Sequence, residues 1–97
     1  MTLSILVDGM LSGTGLRDSA NGGYLHPPEI GLSEDLASRI SSWLSDYANA
    51  HFHQYEDQRN NEALDQEGIN ITRAVRAELP EAHVGYFSNA YMKEIKG

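Results

Sequence analysis

The 97-residue sequence has no cysteine and only 3 prolines, and its 7 basic side chains are outnumbered by 14 acidic ones. Without cysteine the chain can form no disulfide, no thiolate zinc site and no thiol nucleophile. The formal net charge of −7 repels nucleic acid and anionic lipid. We therefore predict neither a nucleic-acid partner nor a membrane partner.

Long hydrophobic runs are also missing. No stretch approaches the ~20 apolar residues that a membrane span needs. Residues 2–8 lack the basic lead and the long apolar run of a secretory signal. The 40% apolar content, with one Trp, five Tyr and two Phe, is enough for one modest core. A cytoplasmic protein with a single domain over residues 1–97 is the expectation.

The N-terminal third contains one predicted strand and a long loop. The apolar run from Leu3 to Val7 includes β-branched residues and stops at Asp8, which is typical of a strand. Glycine and proline recur through residues 9–32, which predicts a loop with one short extended piece at 23–25. Loops of this length are uncommon in small domains and often functional, so this one is a second candidate surface.

A first amphipathic helix is predicted to follow. Ser33 suits its N-cap, because the hydroxyl can accept an amide hydrogen, and two acidic residues follow in the first turn. The pattern extends to about Tyr55. Its apolar positions recur at helical spacing and are Leu36, Ile40, Trp43, Leu44, Tyr47 and His51.

A second helix is predicted to begin with Asn60 or Asn61 as its cap and to end before Pro80. Its apolar face is formed by Leu64, Ile71, Val75 and Leu79. Gly68 fills the missing position on that face, where glycine costs ~1 kcal/mol relative to alanine. We expect a close neighbour there, such as the crossing first helix, to leave no room for a side chain.

The C-terminal part predicts a strand at 83–87 and a short helix at 88–96 with Ser88 or Asn89 as cap. The resulting order is strand, loop, helix, helix, strand, helix. It predicts an α+β fold, in which two antiparallel amphipathic helices pack on a small two- or three-stranded sheet, with a short C-terminal helix.

The glycine-rich loop supplies the main alternative function. Residues 13–18 read Gly-Thr-Gly-Leu-Arg-Asp, which has a superficial likeness to a dinucleotide fingerprint. Such loops work because a helix N-terminus points at the pyrophosphate, and no helix is predicted to follow here. The alternative is a small metabolite- or metal-binding protein or small enzyme using loop 9–25, with a pocket near His51, His83 and Arg17.

His51 and His53 form a pair that could suggest a metal site. Helical positions two apart diverge by about 200°, so the pair could share an ion only beyond the helix end. His51 lies on the apolar stripe, which favours a packed ring over a ligand. We predict no metal and no other cofactor.

Negative charge is concentrated where the two predicted helices meet. Residues 29–81 hold 11 acidic and 4 basic side chains and so account for the whole net charge of −7. Paired carboxylates could act as general acid and base, but catalytic carboxylates usually occupy a cleft that shifts a pKa. No nucleophile motif occurs either. We predict a protein that is not an enzyme.

The acidic junction is predicted to be a docking surface for a basic partner. Tyr47 and Tyr55 lie beside it, and aromatic residues ringed by charge are typical interface hot spots. The predicted partner-binding residues are Asp46, Tyr55, Glu56, Asp57, Glu62, Asp65 and Glu67. Two alternatives remain open: the charge serves solubility alone, or the protein is a structural subunit that self-associates through Ala90, Tyr91 and Ile95.

Scattered stretches along most of the chain resemble one group of small bacterial proteins. They are Ser12–Asp18, Gly22–Leu25, Leu32–Ser33, Trp43 with Tyr47, Ala50–Phe52, Leu64–Asp65 with Glu67–Gly68, Glu78–Pro80 and Val84–Phe87. The group is the immunity proteins of contact-dependent growth inhibition and related polymorphic toxin systems. The resemblance implies a cytoplasmic inhibitor that neutralises the C-terminal domain of one cognate toxin, often a nuclease. It transfers no functional residues to this sequence.

Overall fold

The computed structural model describes residues 3–10 and 13–95, which form a mixed four-stranded sheet packed against two helices. The strands are β1 (Ser4–Asp8), β2 (Leu16–Asp18), β3 (His83–Ser88) and β4 (Lys93–Ile95), in the spatial order β2-β1-β3-β4. β1 and β3 are parallel neighbours, and β2 and β4 pair antiparallel at the two edges. The α+β class is confirmed, but the sheet has four strands instead of two or three.

The register divides the sheet into a buried face and an open face. Val7 pairs with Leu16 on one side and Tyr86 on the other, and all three side chains are buried beneath the helices. Leu6 pairs with Arg17 on the opposite face, because side chains alternate along a strand. Within residues 3–10 and 13–95, no helix covers that second face, and most of its side chains are partly exposed, whereas Asp8 is buried.

The first helix, α1 (Glu34–Phe52), begins as predicted. The Ser33 hydroxyl accepts the Leu36 N–H at 3.2 Å and also donates to the Glu78 carboxylate at 2.8 Å. The helix ends at Phe52 and not near Tyr55, because Gln54 and Tyr55 both adopt a left-handed conformation with φ of 56°. Such a conformation cannot continue a right-handed helix.

The second helix, α2 (Gln58–Glu78), begins earlier than predicted. Its N-cap is Asp57, whose carboxylate accepts the Asn60 N–H at 3.2 Å, so the predicted caps Asn60 and Asn61 are wrong. The helix ends at Glu78, in agreement with the predicted stop before Pro80. Within the described part of the chain, neither helix has the length and apolar character of a membrane span.

Gly68 has the close neighbour that its position in a helix suggested, but the neighbour lies in the sheet. A Cβ atom at this position would overlap the ring of Tyr86 on β3. The predicted contact with the first helix is therefore replaced by a contact with β3. The missing side chain lets α2 lie directly against the aromatic ring.

The predicted C-terminal helix is wrong over the described residues, because 89–92 form a turn that leads into β4; residue 96 lies outside the described part. Ser88 Oγ accepts the Tyr91 N–H at 3.1 Å, as a helix cap would, and Tyr47 Oη accepts the Ala90 N–H at 3.0 Å. Met92 then adopts a φ of 54°, which reverses the chain into an antiparallel partner of β3.

The segment 9–32 contains more structure than a loop, though residues 11 and 12 lie outside the described part. It includes β2, a short 3₁₀ helix at Pro27–Ile30 and an isolated bridge between Arg17 and Tyr24. The predicted extended piece at 23–25 corresponds to that bridge. Leu16, predicted to be in the loop, is fully buried in the core.

The Gly68 contact gives a prediction of definite sign. Gly68→Ala should lower the free energy of unfolding by about 1–3 kcal/mol, because the new methyl overlaps the buried Tyr86 ring. Chemical denaturation would measure the change, with the exposed Arg73→Ala on the same helix as control. Intrinsic helix propensity alone would instead stabilise the variant by ~1 kcal/mol, and that result would contradict the packing explanation.

Candidate functional site

The link between the helices is held by backbone and side-chain hydrogen bonds. Tyr55 N–H donates to Ala50 O at 2.9 Å, and His53 N–H donates to Asn49 O at 3.2 Å. Asn61 Nδ2 donates to the Tyr55 carbonyl at 2.8 Å, which ties the link to α2. These bonds fix the direction of the side chains at this end of the helical hairpin.

Four of the seven predicted partner-binding residues are exposed acids. Asp46 lies on α1, Glu56 and Asp57 lie in the link, and Glu62 lies on α2. We call the side formed by Asp46, Glu56 and Asp57 the hairpin-end surface. Like charges close together raise the local negative potential, so this surface attracts cations.

Two depressions lie next to each other on the hairpin-end surface. One, of about 310 Å³, includes Glu56, Asp57 and the partly buried Tyr55 in its lining. The other, of about 250 Å³, lies between the helices and includes Asp46 and Glu67. Asn49 and Asn60 line both, so five of the predicted residues border one continuous, uneven surface.

Glu67 differs from the other acids because it already has a basic partner. Arg39 on α1 donates to both of its carboxylate oxygens, at 2.8 and 3.0 Å. The hydrogen bonds from Arg39 lower the pKa of Glu67, and the same bonds raise the pKa of Arg39. Much of the Glu67 charge is thereby neutralised before any partner arrives.

Glu62 lies apart from the hairpin-end surface. It lines a separate groove of about 290 Å³ between α2 and the C-terminal hairpin, with Ile69, Tyr91 and Ile95. Its helical position points it away from Asp46 and Glu67. The structure therefore divides the acidic cluster, which is continuous in sequence, between two sides of α2.

Asp65 was predicted to lie on the exposed surface, but the structure places it in the core. Only 5% of the residue is exposed. Its Oδ1 accepts hydrogen bonds from Tyr47 Oη at 2.8 Å and Tyr86 Oη at 2.6 Å, and its Oδ2 accepts one from Ser88 Oγ at 2.7 Å. The carboxylate has three hydroxyl donors inside the protein and acts as a core residue.

Tyr47 is likewise part of the core, whereas the sequence suggested an aromatic group beside the charges. Its ring is fully buried and packs edge-on against Trp43, with 5.3 Å between ring centroids. The exposed aromatic residue at this end is Phe52, which is 73% accessible. Of the two tyrosines that the prediction placed beside the charges, only the partly buried Tyr55 borders the hairpin-end surface.

The prediction that the His51 ring packs in the core is wrong. His51 is exposed, and its ring contacts Phe52 and Tyr55 edge-on, each with 5.9 Å between centroids. His53 Nδ1 lies 2.8 Å from Asn49 O at the end of α1. Among residues 3–10 and 13–95, no group of three or more His, Asp or Glu side chains is arranged to hold a metal ion.

Two glycines of the glycine-rich loop are needed for internal packing. A Cβ at Gly13 would overlap the Tyr24 ring, and one at Gly15 would overlap Ile40 of α1. Arg17 points to the open sheet face, where it forms an ion pair with the buried Asp8 and lies 5.5 Å from the Phe87 ring centroid. His51, on the helix side of the sheet, does not join Arg17 in the pocket that the alternative function required.

The sequence pattern predicts Asn60 and Asn61 only as possible helix caps and not as residues of this site. Asn49, Asn60 and Asn61 all line the 310 Å³ depression. A signal was present, because Asn61, Asp65, Gly68 and Thr72 recur at offsets of 4, 7 and 11, which is one helical face. That stripe is buried, and it lies beside the apolar stripe that the pattern of leucine and isoleucine revealed.

Comparison with known proteins adds one match. Residues 5–89 match the family model described as Serratia CdiI immunity protein-like. No curated protein and no solved structure matches the chain significantly. The matched range includes both helices and the strands β1, β2 and β3, with the whole hairpin-end surface.

The core role of Asp65 can be tested against an exposed acid of the same helix. Asp65→Ala should lower the free energy of unfolding by about 3 kcal/mol or more, because three buried hydroxyl groups lose their acceptor. Glu62→Ala should change it by less than about 0.5 kcal/mol. Urea denaturation of both variants measures the difference, and equal stabilities would contradict the burial of Asp65.

The buried tyrosines predict a loss of stability at alkaline pH. Burial raises the pKa of Tyr47 to about 12, and burial together with the bond to Asp65 raises the pKa of Tyr86 further. Unfolded tyrosine releases its proton near pH 10, so the unfolded state binds fewer protons above that pH. The free energy of unfolding should therefore be unaffected below about pH 9 and fall between about pH 10 and 12.

Urea midpoints measured across this range, with tyrosinate absorbance as a second signal, would check the alkaline transition. Tyr47→Phe serves as the control, because it removes one of the two hydroxyls and should make the decline shallower. A midpoint that stays constant up to about pH 12 would contradict the assignment.

Proposed function

The chain belongs to the Serratia CdiI immunity protein-like family, and we propose that it neutralises one cognate toxin domain by binding it through the hairpin-end surface. The family membership supports an immunity function. The observation that favours this particular surface is the concentration of exposed carboxylates at the linked end of the helix pair. We propose that the protein acts by binding and not as an enzyme.

The charge of the surface favours one kind of toxin. A nuclease must hold phosphates, and its active site is therefore basic. An acidic protein surface can occupy such a groove in place of the nucleic acid. We infer a basic toxin domain with nuclease activity, neutralised inside the cytoplasm where its substrate is found.

The two depressions favour docking over a simple solubility role. A solubilising surface needs only dispersed charge. Here Asp46, Glu56 and Asp57 border concave surface, and the partly buried Tyr55 lines the same depression as Glu56 and Asp57. Exposed aromatic groups beside charge are typical of interfaces, where the ring is buried and the charges steer association.

The glycine-rich loop remains a weaker candidate for a functional surface. Tyr24 and Ile40 fill the space beside two of its glycines, Gly13 and Gly15. Thr14 Oγ1 donates to Leu25 O at 2.5 Å. These contacts close the segment on itself. No observation favours a small-molecule site there, so the toxin-binding proposal stands without a second function beside it.

Binding and inhibition can be tested with the toxin domain encoded next to the chain's own gene. The two purified proteins should form a tight complex, and the nuclease activity of the toxin on labelled DNA or RNA should disappear at equal molar amounts. If the toxin stays active in the presence of a large excess of this protein, the proposed function is wrong.

Charge reversal tests the surface. Asp46→Arg combined with Glu56→Arg should slow association with the toxin domain about tenfold at low salt and flatten its dependence on ionic strength. Both side chains are exposed, so the fold should be retained. Stopped-flow association at two salt concentrations measures the effect.

The matched control is Glu29→Arg combined with Glu81→Arg, which changes the net charge equally at the other end of the helical hairpin. It should slow association only slightly. If the hairpin-end variant associates as fast as the control and keeps its salt dependence, the docking surface lies elsewhere, and the segment 13–24 becomes the next candidate.

A further inference from the structure

We propose that Asn21 is a site of spontaneous covalent modification, at which the backbone nitrogen of Gly22 displaces the side-chain amide group. The product carries aspartate or isoaspartate in place of asparagine. The inference goes beyond toxin binding and does not depend on it. It is supported by the residue that follows Asn21, by the exposure of the turn and by the contrast with the other asparagines of the chain.

The reaction needs no partner except water. The Gly22 nitrogen forms a bond to Asn21 Cγ and loses its proton, the Cγ–Nδ2 bond breaks, and ammonia leaves a cyclic succinimide. Water then adds to one of the two carbonyl carbons of the ring, and the bond from that carbon to the Gly22 nitrogen breaks. Opening at the former side-chain carbon gives aspartate. Opening at the main-chain carbon gives isoaspartate, in which the chain runs through the former side chain.

The residue after Asn21 leaves the reacting atoms accessible. A side chain at that position would shield the attacking nitrogen, and Gly22 has none. A Cβ atom built on Gly22 would meet no other atom within 4 Å, so nothing else packs over this stretch of backbone. Asn21 and Gly22 are both exposed, and water therefore reaches the ring that forms there.

The hydrogen bonds of the turn slow the reaction without preventing it. Gly22 N–H donates to Asp18 O at 2.9 Å, so the nitrogen can attack only when this bond opens. The Asp18 carboxylate accepts the Asn21 N–H at 3.0 Å, and it accepts Asn21 Nδ2 at 3.4 Å. These side-chain bonds are exposed, and exposed turns open at far less than the free energy of global unfolding.

The other five asparagines are held where the same attack is hindered, and each is followed by a residue with a side chain. In a helix, the N–H that would attack is bound in the backbone ladder. Asn89 is 8% exposed, and the following Ala90 N–H donates to Tyr47 Oη at 3.0 Å. The four helical asparagines are Asn49, Asn60, Asn61 and Asn70. We therefore expect Asn21 to react first.

The turn that contains Asn21 covers the outer edge of β2. Asp18 N–H donates to Gly23 O at 2.9 Å, and Leu25 N–H donates to Leu16 O at 2.8 Å. These two bonds use backbone groups on the side of β2 that faces away from β1. Uncovered strand edges readily pair with other chains, so residues 19–25 protect this end of the sheet.

Modification of Asn21 acts directly on this cover. The new carboxylate loses the Nδ2 donor to Asp18, and it brings a second negative charge next to the first. Isoaspartate also lengthens the main chain inside a closed turn, which displaces the backbone groups that bond to β2. The modified protein should therefore have a less protected β2 edge.

Peptide mapping of the purified wild-type protein tests the site. Trypsin cuts after Arg17 and Arg39, and the peptide between them contains Asn21 but no other asparagine and no glutamine. In warm, mildly alkaline buffer this peptide should gain about 1 Da and separate into two products. It should do so at least about tenfold faster than any other asparagine-containing peptide of the folded protein. Equal rates for all these peptides would overturn the assignment.

Two variants and a control test the role of the turn. Asn21→Ser has no amide to lose, so the mass gain of the peptide should disappear. Asp18→Ala removes the acceptor that holds Asn21 in place and should speed the reaction about threefold or more. Ser19→Ala, an exposed substitution in the same turn, should react within about twofold of the wild type. A slower reaction in Asp18→Ala would contradict a turn that restrains the attack.

Hydrogen exchange tests the effect on the sheet. After chromatographic separation of the isoaspartate form, the amides of Asp18 and Leu25 should exchange about tenfold faster than in the wild type. Asn21→Asp is the matched control, because it carries the new charge without the lengthened main chain, and it should show a smaller change. Unchanged exchange at both amides in the isoaspartate form would overturn the proposed loss of protection at β2.

Discussion

The buried carboxylate of Asp65 is the interaction on which the rest of the structure depends. It belongs to α2, and its three hydroxyl partners come from α1 and from β3. Two of those partners, Tyr47 and Ser88, use their oxygens to accept the N–H groups of the turn before β4. One acidic group thus joins both helices, the central parallel strands and the C-terminal hairpin. A buried charge is acceptable in such a place because every hydroxyl around it is oriented toward it.

The same arrangement makes the hairpin-end surface rigid. Trp43 Nε1 donates to Leu64 O at 2.8 Å, one helical turn from Tyr47. The two helices are therefore joined by hydrogen bonds in two successive turns of α1, from Trp43 and from Tyr47. Asn61 then joins α2 to the link through the Tyr55 carbonyl. The exposed acids extend from a backbone that has little freedom, and a partner that binds them loses little conformational entropy in ordering it.

The sequence predicted the elements whose signals are local. Ser33 is a cap because its hydroxyl is one residue before the helix, and the apolar spacing that follows needs no knowledge of the sheet. Asp65 was assigned to the surface because charge is usually exposed, and its burial depends on hydroxyls from residues 47, 86 and 88, which are distant in sequence. The turn after Ser88 was mistaken for a helix for the same reason: its capping bond is helix-like, and the Tyr47 bond that redirects the chain is not visible locally.

The division of roles along the acidic segment has a consequence for specificity. Asp46 and Glu56 are exposed, so substitutions there alter the surface potential with little effect on stability. Asp57 and Asn61 line the 310 Å³ depression and also hold the fold, because Asp57 caps α2 and Asn61 donates to the link. Substitutions of Asp46 and Glu56 can therefore change which partner binds without disturbing the fold. Substitutions of Asp57 or Asn61 in the depression would also disturb the start of α2.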